Sequence, residues 1–112
     1  MDCIFCRIAS GHIPTDFVYH DDEIVAFKDI KPIAPVHLIV IPREHIESLA
    51  RMTGEHAALM GRMVSVANRL ATEAGVSEAG YRLVANCGPD GGQEVPHVHL
   101  HVIGGRRLGA LG

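Results

Sequence analysis

Eight histidines occur in 112 residues, against two Tyr, three Phe and no Trp. Three of them alternate in Pro96-His97-Val98-His99-Leu100-His101-Val102-Ile103. Side chains along a strand point to opposite faces in turn. This spacing therefore predicts three imidazoles on one face, about 6.6 Å from one to the next, with Val98, Leu100 and Val102 turned toward a core. A row of polar rings is a poor sheet surface without a task. Two chemistries fit it. Alternating histidines can chelate a cation such as Zn²⁺ and leave a position open for water. Alternatively, one neutral imidazole is a nucleophile near pH 7 and its neighbours position and protonate.

The segment before the triad is Asn86-Cys87-Gly88-Pro89-Asp90-Gly91-Gly92-Gln93-Glu94-Val95. Glycines let backbone N–H groups converge on an anion. Beside three histidines the loop suggests a phosphate site, although Pro-Asp-Gly-Gly is also ordinary turn chemistry. It is not a Walker A loop, because no Gly-Lys-Ser/Thr follows. A second constellation, Cys3-Ile4-Phe5-Cys6, has the spacing of half a zinc site. On spacing alone the other ligands stay open among His12, His20, His37, His45, His56 and His97. Three cysteines are too few, and odd in number, for a disulfide framework.

These groups need a scaffold. Cys3 to Gly11 suits a turn of helix. Phe17 to His20 and Ile24 to Lys28 read as short strands joined at Asp21-Asp22. His37 to Ile41 is a buried strand type ended by Pro42. A long helix follows, with Thr53 as N-cap, Glu55 in its first turn and Gly75 just past its end. Leu59, Met60, Met63, Val64, Ala67, Leu70 and Ala71 form its apolar face. Tyr81 to Asn86 and His97 to Ile103 are the last strands, the latter ended by Gly104-Gly105. Strands, one helix, then strands, without β-α-β alternation, favour an α+β fold with a mostly antiparallel sheet and the helix on one face.

Composition narrows the class. The length suits one domain, residues 1–112. Apolar residues make up 47% and charged residues 21%, as in a globular protein. The net charge of −3 does not point to nucleic acid. No apolar stretch is long enough to span a bilayer, and Met1-Asp2-Cys3 lacks the basic start of a signal peptide. The expected setting is cytoplasmic.

His97-Val98-His99-Leu100-His101-Val102 resembles the histidine-triad signature, His-φ-His-φ-His-φ-φ with φ apolar. Ile24 to Ile30, Pro32, Ala34-Pro35-Val36-His37, Ile41-Pro42-Arg43-Glu44-His45, Gly91-Gly92-Gln93 and Gly104-Gly105-Arg106 resemble the Hint branch of the histidine-triad (HIT) superfamily. The resemblance covers essentially the whole chain. It implies a five-stranded antiparallel sheet with one long helix, paired as a homodimer. It implies hydrolysis of purine nucleoside 5′-phosphoramidates to the nucleoside monophosphate and an amine, with no organic cofactor. A third histidine, His101, where transferase branches carry Gln, argues for a hydrolase.

The same resemblance implies roles. His99 would attack the α-phosphorus, and His101 would contact the phosphate and help protonate the departing amine. His97 belongs to the catalytic row, and His37 would support it from behind. Asn86, Gly92, Gln93, Glu94, Val95 and the loop N–H groups would meet the phosphate. Asp29 would accept the ribose hydroxyls. Ile4, Phe5, Ile8, Ile13, Phe27 and Ile30 would line the base pocket. Members with an N-terminal Cys-x-x-Cys would hold structural zinc, here on Cys3, Cys6, His45 and His97. The sequence departs from the animal Hint pattern at Glu94, which replaces a phosphate-contacting Ser, and in lacking the Trp-containing tail. Its Cys-x-x-Cys is a further departure and suggests a bacterial-type member. Two other readings stand beside this one: a nucleotide-binding regulatory module with incidental hydrolysis, and a metallohydrolase with the triad as zinc ligands.

Overall fold

A computed structural model of the chain describes residues 3–112. The reading of Met1 and Asp2 as the start of a leaderless chain lies outside the described residues. The elements, in chain order, are α1 (Ile4–Ala9), β1 (Phe17–His20), β2 (Ile24–Lys28), β3 (Val36–Pro42), α2 (Ala57–Glu73), β4 (Tyr81–Val84) and β5 (Leu100–Gly104). Two 3-10 turns, Leu49–Arg51 and Gly54–His56, precede α2. The five strands form one antiparallel sheet in the order β1-β2-β3-β5-β4. This is the α+β arrangement expected, with one long helix.

Each element has a local cause. Thr53 Oγ1 accepts from the Glu55 N–H, and His56 Nδ1 accepts from the Thr53 N–H, a reciprocal cap that starts the helical run. Leu59, Met63, Val66, Ala67, Leu70 and Ala71 are buried along α2, at three- and four-residue steps. Gly75, at φ +78°, takes the left-handed turn that ends the helix. Cys3 caps α1, its sulfur accepting from the Cys6 N–H.

The pleat gives the sheet two faces. Ala26, Val40 and Leu100 are aligned across the strands, as are Leu38, Val102 and Leu83. They pack against α2 in the main apolar core. Burying each large side chain there is worth about 1.5–3 kcal/mol. The opposite face aligns Phe27, Ile39, His101 and Val84 in one row, and His37, Ile103 and Arg82 in the next. Phe5, Ile8 and Ala9 of α1 pack there with Val25, Phe27, Ile39 and Ile41.

Two strands are shorter than expected. β5 begins at Leu100, not His97, because the ladder with β3 runs out at Pro42. Pro42 has no N–H to give, and its carbonyl accepts from His97 Nε2 at 2.8 Å. The His97 N–H turns back to Val95 O, and the Val98 N–H goes to Ile46 O. Val98, Leu100 and Val102 nevertheless enter the core, as the alternation predicts. β4 stops at Val84, and Asn86 instead opens the glycine loop, its Nδ2 donating to Gly91 O at 2.6 Å.

Candidate active site and metal centre

The backbone fixes where the protons of these histidines sit. His99 is buried, and its Nδ1 lies 2.7 Å from the His97 carbonyl. A carbonyl only accepts, so Nδ1 carries the hydrogen and Nε2 keeps a free lone pair. Among the described residues that Nε2 has no hydrogen-bond partner. Phe5 packs edge-on against the His99 ring at 5.1 Å, and the His101 ring lies 4.9 Å from it.

His101 lies 2.9 Å from buried His37, Nδ1 to Nε2. Burial first, then the neighbouring His99 and His37, push His101 down to about 4, so its ring is neutral at pH 7. Asp29 completes this group. Its Oδ1 accepts from the Lys31 N–H at 2.8 Å, and its Oδ2 lies 3.4 Å from His37 Nε2.

The glycine loop folds on itself. The N–H groups of Gly91, Gly92 and Gln93 bond to carbonyls within the loop. A side chain at position 91 would place its Cβ 2.4 Å from the Cys87 carbonyl, so only glycine fits. Gln93 Oε1 accepts from the Gly88 N–H, and its Nε2 donates to Glu47 O and Val95 O. Its amide thus braces the loop instead of facing the cleft. Among the described residues the Glu94 and Val95 N–H groups donate to nothing.

A cleft of about 1560 Å³ opens over this face of the sheet. Of the residues read from the sequence, Ile4, Phe5, Ile8, Ile13, Phe27, Asp29, Ile30, His37, Asn86, Gly92, Glu94, Val95, His99 and His101 line it. Gln93 and His97 do not. Lys31, Ile33, Arg82, Arg106 and the tail from Leu108 to Leu111 also line it, with no motif in the sequence to mark them as part of a cleft. Arg106 was visible only as part of Gly-Gly-Arg. Its Nη2 donates to Ile33 O at 2.9 Å and anchors the segment before β3.

His97 is fully buried and belongs to another cluster. Its Nδ1 lies 3.4 Å from Cys3 Sγ, 3.5 Å from Cys6 Sγ and 3.3 Å from His45 Nδ1. Cys6 Sγ is 3.2 Å from His45 Nδ1. The four ligand atoms lie within 4.8 Å of one another. Tetrahedral Zn²⁺, with Zn–N about 2.0–2.1 Å and Zn–S about 2.3 Å, needs about 3.3 Å between two nitrogens and about 3.6 Å between sulfur and nitrogen. The cluster fits that demand. The bond to Pro42 places the His97 hydrogen on Nε2, so the Nδ1 lone pair faces the sulfurs. Burial, then Cys3, raise the Cys6 thiol above its usual range, and a bound cation would favour its thiolate. The four protein ligands would close the coordination shell, which makes the site structural and leaves His99 and His101 free.

No described helix is long and apolar enough to cross a membrane. Known proteins give the geometry a context. The HIT domain family matches residues 10–108. The chain is 44% identical to the purine nucleoside phosphoramidase of Escherichia coli K12 over 110 residues, 98% of this chain and 92% of that protein. It is 46% identical over 103 residues to protein HitA of Neisseria gonorrhoeae, covering 92% and 95% of the two chains. A histidine triad protein from Clostridium difficile superposes with a TM-score of 0.95 at 43% identity, over 100% and 97% of the two chains. A HIT family hydrolase from Legionella pneumophila gives 0.93 at 46%, over 95% of each chain.

Proposed function

The chain belongs to the HIT family, and on that premise we propose that it hydrolyses purine nucleoside 5′-phosphoramidates through a covalent nucleotide on His99. The observation that carries this reading is the free Nε2 lone pair of His99, held by the Nδ1–H bond to His97 O beside the cleft. In the first step His99 Nε2 bonds to the α-phosphorus as the P–N bond breaks. The electron pair goes to nitrogen, which takes up a proton and leaves as the amine. Water then bonds to phosphorus, the P–Nε2 bond breaks, and the proton water loses balances the one the amine gained. The products are the nucleoside monophosphate, the amine and neutral His99.

The rest of the cleft serves this chemistry. The unpartnered Glu94 and Val95 N–H groups and the His101 Nε2–H would meet charge on the phosphoryl oxygens. Asp29 would accept the ribose hydroxyls, using carboxylate oxygens at the cleft edge. Phe5, Ile8, Ile13 and Phe27 would hold the base by apolar contact, with Ile4 and Ile30 at the rim. Cys3, Cys6, His45 and His97 would hold structural zinc, which would clip α1, and with it Phe5, against the sheet. The unit is one HIT domain over residues 1–112, working in the cytoplasm as a homodimer. The dimer reading is supported by β4, an edge strand whose outer side has no strand partner among the described residues. Light scattering on the purified protein should give about twice the 12.1 kDa chain mass.

The test of the chemistry is AMP release from adenosine 5′-phosphoramidate. His99→Ala should lower turnover by about 10³-fold or more while the folded protein still binds AMP. Equal turnover by both proteins would remove His99 as nucleophile. AMP binding with no turnover by the intact protein would favour a nucleotide-binding module.

A further inference from the structure

The Ile33 N–H lies 3.2 Å from His37 Nδ1. An amide N–H only donates, so His37 Nδ1 holds a lone pair and the single hydrogen of neutral His37 is on Nε2. Two acceptors compete for that hydrogen: His101 Nδ1 at 2.9 Å and Asp29 Oδ2 at 3.4 Å. His101 Nδ1 must then accept, and the His101 hydrogen stands on Nε2. A second proton on His101 would sit on Nδ1 and face the His37 Nε2–H, setting two donors head to head across 2.9 Å.

We propose that His37, held by the Ile33 amide, is the positioning residue that keeps His101 a neutral Nε2–H donor, and that Asp29 competes for the same His37 hydrogen. Ribose hydroxyls on Asp29 would satisfy its carboxylate and release that hydrogen to His101. Sugar recognition would thereby tighten the donor that meets the phosphoryl group.

The segment that carries Ile33 is fixed from both sides. Arg106 Nη2 donates to Ile33 O, and the Asp29 N–H donates to His37 O at 3.0 Å. Gly105, at φ +96°, lies so close to Pro35 that an added Cβ would come within 2.8 Å of the Pro35 Cβ. The Ile33 peptide therefore has little freedom to turn its N–H away. Burial of His101 acts in the same direction, since it disfavours a charged ring. His101 would contribute a directed hydrogen bond from Nε2 and would not carry an extra proton of its own. That narrows the proton-donor role implied by the family resemblance.

The test has a spectroscopic arm, independent of any substrate, and a kinetic arm that rests on the phosphoramidase reading. In protein with ¹⁵N-labelled histidine, the ring shifts report which nitrogen of His101 is protonated. The intact protein should show a single Nε2–H form. His37→Leu should show a mixture of tautomers, and kcat should fall about tenfold with little change in KM. His37→Gln keeps an N–H donor facing His101 and should restore both the Nε2–H form and most of kcat. A 2′-deoxy substrate should lower kcat in the intact protein, and that kcat difference should vanish in His37→Leu. An Nδ1–H or mixed form in the intact protein would overturn the proposal, as would an unchanged Nε2–H form in folded His37→Leu. A correct Nε2–H signature in a protein without turnover would leave this proposal standing and count against the phosphoramidase reading.

Discussion

Two groups of side chains in this molecule could each hold a cation by composition and distance: Cys3, Cys6, His45 and His97, and Asp29, His37 and His101. They differ in which way the backbone turns the key imidazole. Behind His97 stands a carbonyl, Pro42 O, which takes the ring hydrogen and leaves the lone pair facing the thiols. Behind His37 stands an N–H, that of Ile33, which takes the lone pair and leaves the hydrogen facing inward. The first cluster can receive a cation. The second presents a proton where a cation would have to bind. A histidine becomes ligand or donor according to the single backbone group behind it, more than according to the residues in front.

The largest expected effect tests the first cluster. Cys3→Ser/Cys6→Ser should reduce bound zinc from one per chain to near zero and cost about 4 kcal/mol or more of stability. Metal analysis and thermal unfolding, with and without chelator, measure this. A variant that kept both its metal and its melting temperature would break the contrast. So would a second zinc ion bound as tightly as the first in the intact protein, since it would need the His37 cluster.

A smaller effect comes from the second cluster through pH. An unfolded histidine titrates near 6.5, whereas burial, then His99 and His37, push folded His101 down to about 4. Between those values the unfolded chain binds more protons. Stability from His101 is therefore full above about 6.5 and is lost as the pH falls toward 4, by about 1–2 kcal/mol once solvent screening of the part-exposed ring is allowed for. Urea midpoints at pH 7 and pH 5 should fall further apart in the intact protein than in His101→Gln. Equal shifts would mean that the ring is not held neutral.

The smallest effect lies in the cleft, at a residue outside both clusters. Glu94→Ser removes an acidic group at the cleft while keeping the backbone N–H, so AMP should bind about two- to fivefold tighter, with the gain shrinking at high salt. Unchanged AMP affinity would place the carboxylate in solvent.

The legible parts of the sequence were those with a local rule. The apolar stripe of α2, its Thr53 cap and the Gly75 stop follow from helix geometry. The alternation of Val98, Leu100 and Val102 toward the core follows from the pleat. Cys3 and Cys6 were visible as half a ligand set, but spacing left six histidines open, and the fold picks His45 and His97. Gln93 read as a phosphate contact, yet its amide is used by Gly88, Glu47 and Val95, one of them 46 residues away. The tautomers were not legible, because each depends on a backbone atom brought in from elsewhere: Pro42 O for His97 and Ile33 N–H for His37. The early end of the β3–β5 ladder has the same origin, since Pro42 gives its carbonyl to a side chain.

The cluster at the N-terminus also bears on the order of events in folding. Cys3 and His97 are 94 residues apart in sequence. Closing a loop of that length costs about 4–5 kcal/mol of chain entropy before any contact forms. An ion bridging Cys3 and His97 has to meet that cost unless the fold has already brought them together. The pairing of β3 with β5 brings His97 beside Pro42, and α1 supplies Cys3 and Cys6 from the other end of the chain. An ion on these four ligands would enclose most of the chain within one ring. Interactions made after the folding barrier slow unfolding without speeding folding. An ion held there after the rest has folded would act as a latch, and its contribution would lie in how long the protein stays folded.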